Sequence, residues 1–151
     1  LVVLARTVKN LNKTVITIMS LVSIASVMNY AGMIGVIASA LVAATGVYYP
    51  LFVPLIGAIG TFVTGSDTSS NILFGKLQAN VASQLSYSDP NWLVAANTAG
   101  ATGGKIISPQ SIAIATASCN MPGRDGEILR SALPYAIGYI ILAGLMVYFA
   151  C

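Results

Sequence analysis

The apolar positions of this chain fall into long runs separated by a few short polar stretches, and those stretches are where its chemistry lies. The first run, Val15 to Met28, is continuous enough for a membrane helix, though short if it ends at Asn29. Asn29-Tyr30-Ala31-Gly32-Met33 interrupts the pattern, and Ile34 to Ala44 resumes it as a piece rich in small residues. One broken helix and a crossing followed by a short returning or interfacial piece both fit residues 14–46. Asn29 reads equally as a functional polar group and as a packing contact between helices. Gly46 ends this piece. Tyr48 and Tyr49 suit the membrane interface, and Pro50 suits a first helical turn. Leu51 to Val63 then predicts an apolar helix in which Pro54, Gly57 and Gly60 permit bends or close approach.

That helix delivers the chain to Thr64-Gly65-Ser66-Asp67-Thr68-Ser69-Ser70-Asn71, a carboxylate, hydroxyls, a carboxamide and a glycine between two apolar segments. The spacing predicts the tip of a helical hairpin over 48–85. Gly65 can take the left-handed conformation that closes one helix, and Asp67 or Thr68 can cap the next. A helix starting there offers free N–H groups and the positive end of its dipole, so the tip is a candidate carboxylate seat. The plainer alternative is that these residues only satisfy two buried helix ends. The second limb, Ile72 to about Leu85, carries Lys76, Gln78, Asn80, Ser83 and Gln84, and such polarity predicts that it faces protein or a watery cavity.

Tyr87-Ser88-Asp89-Pro90-Asn91-Trp92 reads as an interfacial loop with Asp89 solvated and Trp92 as a headgroup anchor. A second interruption follows. Asn97-Thr98-Ala99-Gly100-Ala101-Thr102-Gly103-Gly104-Lys105 has three glycines and little helical drive, and Ser108-Pro109-Gln110 has the cap and first-turn pattern of a new helix. The expectation is a discontinuous helix over 92–119, unwound between Asn97 and Ser108. Met121 to Glu127 predicts an exposed charged loop, and Ser131 to Cys151 a full-length span.

Composition places these helices in a bilayer. Of 151 residues, 56% are hydrophobic and only 7% charged, against roughly a quarter charged in soluble domains. The mean hydropathy is +0.84. The fold class expected is therefore an all-α membrane protein, with transmembrane helices, a re-entrant helical hairpin and a discontinuous helix. Arg6, Lys9 and Lys13 account for the net charge of +3, so residues 1–13 read as a basic approach segment on the cytoplasmic side. No basic face continues beyond them to suggest nucleic acid. The basic segment leads into a run too long for a signal peptide. There is no histidine, and Cys119 and Cys151 lack metal-ligand spacing, so neither a zinc site nor a common hydrolase base is available. Gly103-Gly104-Lys105 is not a phosphate loop, since Ile106 stands where Ser or Thr is required. No cofactor and no enzyme chemistry are expected.

Two polar interruptions within apolar helices form a pattern more specific than either alone, because irregular backbone survives at membrane depth only around a cavity. The residues also resemble a known family. Asn29-Tyr30-Ala31-Gly32-Met33, Gly65-Ser66-Asp67-Thr68-Ser69-Ser70-Asn71, Ala95-Ala96-Asn97-Thr98 and Gly104-Lys105-Ile106-Ile107-Ser108-Pro109-Gln110-Ser111-Ile112-Ala113 are similar to the C-terminal portion of the L-lactate permease family. The resemblance covers nearly all of the chain from about Met28 onward. It implies a secondary transporter that carries L-lactate and related 2-hydroxymonocarboxylates such as glycolate, usually with protons, across a bacterial or archaeal inner membrane. It also implies that residues 14–151 are the C-terminal membrane region of a longer transporter, whose remainder completes the site. By analogy of fold with anion transporters built on paired hairpins, it suggests an elevator-like mechanism.

Under that resemblance Ser66, Thr68, Ser69, Ser70 and Asn71 would donate hydrogen bonds to the substrate carboxylate or 2-hydroxyl. Asn97, Thr98 and Thr102 would face them, with Gly65, Gly100, Gly103 and Gly104 keeping backbone accessible. Asp67 is the one acid inside an apolar region, and burial favours its protonated form, which makes it the candidate proton carrier. A permanently charged cap and a partner for Lys105 are its other readings. Lys105 would either neutralise the anion or snorkel to the interface. A passive anion channel or a structural membrane subunit would share the same polar tip. The preferred hydroxy acid, the coupling ion and the oligomeric state, a homo-oligomer included, stay open.

Overall fold

A computed structural model describes residues 16, 19–20, 22–24, 26–28, 30–85, 89–121 and 123–150. The basic segment 1–13, Asn29, Tyr87 and Ser88 lie outside them. The described residues before Ala31 are helical, and a turn at Ala31 and Gly32 separates them from α1, Met33–Thr45, so 14–46 is interrupted. A single 3-10 turn, Gly46–Tyr48, leads into α2, Tyr49–Thr64. Then come α3, Asp67–Gln84; α4, Pro90–Ile107; α5, Pro109–Ser118; and α6, Asp125–Ala150. There is no strand among the described residues.

This is an all-α membrane protein. Met33–Thr64 and Asp125–Ala150 are each long and apolar enough to cross a bilayer. Their outward faces are apolar too: Val63 is 75% and Phe149 82% exposed, an exterior suited to lipid. Helix α6 starts at Asp125 rather than near Ser131, because Asp125 and Glu127 in its first turn complement the helix dipole and Glu127 pairs with Arg124.

Helix α4 is the hub, packing against α2, α3 and α6, while α1 packs on α3. Its regularity corrects the expectation of an unwound stretch. Residues 97 to 107 are continuous helix, and the only interruption falls at Ser108, between α4 and α5. The sequence misleads here because glycine is a poor helix former in water, whereas between membrane helices it lets backbones touch. A Cβ on Gly100 would collide with the backbone of Pro54, one on Gly104 with that of Ala58, and one on Gly57 with the Asn97 carbonyl. On the other side of α4, Gly103 is closed over by Tyr139 and Ile140 of α6. Gly100, Gly103 and Gly104 are therefore contact points between helices rather than open backbone.

Away from the hairpin tip, Ile34, Ala38, Tyr49, Val53, Leu77, Val81, Leu93 and Val147 form one core. Tyr49 belongs to it and is wholly buried, against the interfacial position expected for both tyrosines, while Tyr48 stays exposed and stacks on Tyr148. Pro90 opens α4 with Asp89 as its cap, the carboxylate accepting from the Asn91 N–H at 2.8 Å.

Gly100→Ala should force α2 off α4 and destabilise the protein by about 1–3 kcal/mol, the usual range for overpacking. Gly75→Ala, where the added Cβ meets open space, should be neutral or stabilise by up to about 1 kcal/mol. Thermal unfolding of the purified full-length protein in detergent measures both.

Candidate functional site

The hairpin tip is closed by its own polar groups. Gly65 adopts φ 71°, a left-handed conformation that a side chain would strain, and its N–H donates to the Thr61 carbonyl at 2.7 Å. Ser66 is extended, and its hydroxyl accepts from the Ser69 N–H at 3.3 Å. Ser66 is thus the cap of α3, in place of Asp67 or Thr68. The difference of one residue arises because Gly65 alone makes the reversal and leaves Ser66 in the extended geometry that a cap needs. The Thr64 hydroxyl donates to the Gly60 carbonyl at 2.8 Å and accepts from the Ser66 N–H at 3.3 Å.

Asp67 is the first residue of α3, where the dipole favours a carboxylate. Its Oδ1 is buried without a hydrogen-bond partner among the described residues. The expected alternative pairing with Lys105 does not form: Lys105 Nζ donates to the Gly65 carbonyl at 3.2 Å. Thr68 is exposed, and Ser69 and Ser70 are buried. The Ser70 hydroxyl donates to the Gly57 carbonyl at 2.8 Å and so ties α3 to α2.

The second interruption meets the first. Ser108 is buried and extended, φ −64° and ψ 140°, and its hydroxyl accepts from the Ser111 N–H at 3.3 Å to cap α5. Lys105 on one side of Ser108 reaches Gly65, and Gln110 on the other packs so closely that a Cβ on Gly65 would collide with its side chain. Helices α3 and α5 therefore both begin in the same neighbourhood. That contact answers the expectation of two breaks in apposition, with the second break moved to Ser108.

A buried row of hydrogen bonds runs beside this joint. The Tyr49 hydroxyl donates to Gln78 Oε1 at 2.7 Å, Gln78 Nε2 to Asn97 Oδ1 at 3.3 Å, and Asn97 Nδ2 to Asn71 Oδ1 at 2.9 Å. The Thr98 hydroxyl lies 3.1 Å from the same Asn71 oxygen. Tyr49, Gln78 and Asn97 are wholly buried, Asn71 is half-buried and Thr98 exposed, so the row leads from the core to the surface. Among the sequence-predicted residues it unites Asn71, Asn97 and Thr98. Thr102 stays on the exposed face of α4, its hydroxyl bonded to the Thr98 carbonyl.

Of the polar residues on α3, Gln78 does face protein, while Lys76, Ser83 and Gln84 are exposed. Sequence reasoning did not nominate Gln78, Tyr49 or Gln110 for the site. Asn71 and Gln78 stand seven residues apart, two turns on one helical face, which was the available signal for Gln78. Tyr49 had none that separated it from Tyr48. Of three mainly apolar surface grooves, those of about 370 Å³, between α4 and α6 around Trp92, Tyr139 and Met146, and about 240 Å³ lie elsewhere, while one of about 260 Å³ borders the second interruption through Ile107 and Pro109.

The family model for L-lactate permease matches residues 1–151. The chain is 44% identical over 144 residues to the glycolate permease GlcA of Escherichia coli K12, covering 95% of this chain and 25% of that protein. It is 38% identical over 146 residues to an L-lactate permease of Bacillus subtilis, covering 97% and 26% respectively. An L-lactate permease of Streptococcus iniae is 50% identical over 93 residues, 62% of this chain and 19% of that protein. The chain thus spans about a quarter of the length of these relatives. No solved structure is significantly similar to it.

Asn97→Leu keeps the side-chain size but removes the carboxamide, leaving Gln78 Nε2 buried without its acceptor. An orphaned buried donor costs about 1–3 kcal/mol, so a lower thermal unfolding temperature of the full-length protein is expected.

Proposed function

Because the chain belongs to the L-lactate permease family, we propose that it forms a substrate-holding part of a secondary active transporter. The cargo is L-lactate and related 2-hydroxymonocarboxylates such as glycolate, taken up with protons through a multi-pass protein of the inner membrane. One observation carries the reading: the Gly65–Ser66 and Ser108 interruptions lie together, bridged by Lys105 and Gln110. Two helices that begin at one place direct their positive dipole ends and first-turn N–H groups toward it, which suits a small carboxylate. Lys105 adds a full positive charge, and the amide of Asn71 and the exposed hydroxyl of Thr68 add donors.

In this reading Asp67 carries the proton. Its buried oxygen has no hydrogen-bond partner among the described residues, so a proton bound there would load together with the substrate. Ser66, Ser69 and Ser70 hold the tip in shape, and their contact with substrate, like that of Asn97, Thr98 and Thr102, is part of the proposal. The remaining three-quarters of the transporter would close the site from the opposite side, as repeat-built carriers do.

Full-length protein in proteoliposomes tests the reading. With one proton per lactate, one unit of inward pH gradient supports about tenfold accumulation of labelled L-lactate, the equivalent of about 1.4 kcal/mol. Asp67→Asn should abolish that accumulation while lactate exchange at equal pH persists. Conductance without accumulation would identify a channel instead, and unimpaired accumulation by Asp67→Asn would remove Asp67 from coupling.

A further inference from the structure

Each carboxamide in the row Gln78, Asn97 and Asn71 can face either way, so the row has two self-consistent polarities. In one, hydrogen bonds are donated outward from Tyr49, and the Asn71 NH2 group is left at the surface end. In the other they are donated inward, and the Asn71 oxygen is left there. Tyr49 decides between them. Its hydroxyl is buried, its proton needs an acceptor, and among the described residues the partner it has is Gln78 Oε1, at 2.7 Å. Reversal would turn the Gln78 NH2 group toward the phenol and strand the O–H proton away from water.

With Gln78 so held, every later amide follows. Gln78 Nε2 donates to Asn97 Oδ1 and Asn97 Nδ2 donates to Asn71 Oδ1. The Thr98 hydroxyl lies 3.1 Å from that oxygen and 3.1 Å from the Val94 carbonyl, so its one proton is shared between them and the polarity of the row is set from the Tyr49 end. The Asn71 NH2 group, on the opposite branch of the amide, points away from the row.

We infer that Tyr49 and Gln78 are positioning residues that hold the Asn71 carboxamide with its two N–H donors toward the ligand. They thereby select a group that only accepts hydrogen bonds, an ionised carboxylate, over one that presents N–H groups. The inference rests on the transporter reading above and names the source of its selectivity for anions. Tyr49 touches no ligand itself and acts through two other side chains.

The test compares L-lactate with lactamide, in which an NH2 group replaces one carboxylate oxygen, using full-length protein in proteoliposomes. Tyr49→Phe removes the proton that sets the polarity and keeps the ring. It should raise the KM for lactate about tenfold or more with Vmax within about twofold, the scale expected for losing a hydrogen bond to a charged group. Inhibition by lactamide should hold or strengthen, so the preference for lactate over lactamide falls. Equal weakening of both ligands, or a lower Vmax with the preference intact, would mean that the row only packs the helices and would overturn the inference. Should Tyr49→Phe fail to fold, Gln78→Met, at a buried position given no contact with substrate, removes the donor to Asn97 and decides the matter in the same way: a reduced preference upholds the inference, an unchanged one overturns it. A wild-type protein that neither binds nor moves lactate would remove the transporter reading and the inference with it. A wild type that transports, with variants of unaltered preference, removes the inference alone.

Discussion

A helix that stops inside an apolar bundle leaves carbonyl and N–H groups that lipid cannot satisfy, and this constraint shapes the region around Gly65 and Ser108. The protein meets it with side chains from the immediate neighbourhood. Ser66 and Ser108 cap the two helices that start there, Thr64 serves the hairpin turn, and Lys105 crosses from α4 to the Gly65 carbonyl. The interruption at Gly65 is thus supported partly from the other side of the joint. Separating α2 from the α4–α5 connection would take from the Gly65 carbonyl its bond to Lys105.

Close approach of α2 and α4 makes that joint possible. Gly57, Gly100 and Gly104 bring the two backbones into contact, and Ser70 ties α3 to the same stretch of α2 through the Gly57 carbonyl. Small residues serve membrane helices well because lipid tails provide no hydrophobic drive for association, so van der Waals contact of backbone on backbone has to supply it. The glycines that looked like an unwound segment are the reason the segment can stay wound.

Against this rigid contact, the amide row from Tyr49 to Asn71 provides the polar specificity. Buried amides without partners would destabilise the bundle, so the row must be complete, and completeness restricts how each amide faces. On the inference drawn above, a structural requirement and a recognition property would come from the same hydrogen bonds. Under the transporter reading proposed above, the row would take its functional meaning from a small carboxylate, an acceptor that matches a surface-facing NH2 group.

The apolar runs and the scarcity of charge were enough to place this chain in a membrane and to give its helices their approximate limits, because burial in lipid demands a composition that no other solvent tolerates. The hairpin turn was equally legible: Gly65 followed by Ser66 and a hydroxyl-rich first turn leaves a backbone few other structures to adopt. The α4 stretch from Asn97 to Lys105 was not legible, since helix propensity is local whereas the contact that keeps these glycines helical comes from Pro54 and Ala58, more than forty residues earlier in the chain. The position of the second break, the burial of Tyr49 and its bond to Gln78 were likewise decided only by tertiary structure. Which face of a helix meets a partner, and whether a polar side chain there finds its complement, depends on distances between segments that no local pattern encodes.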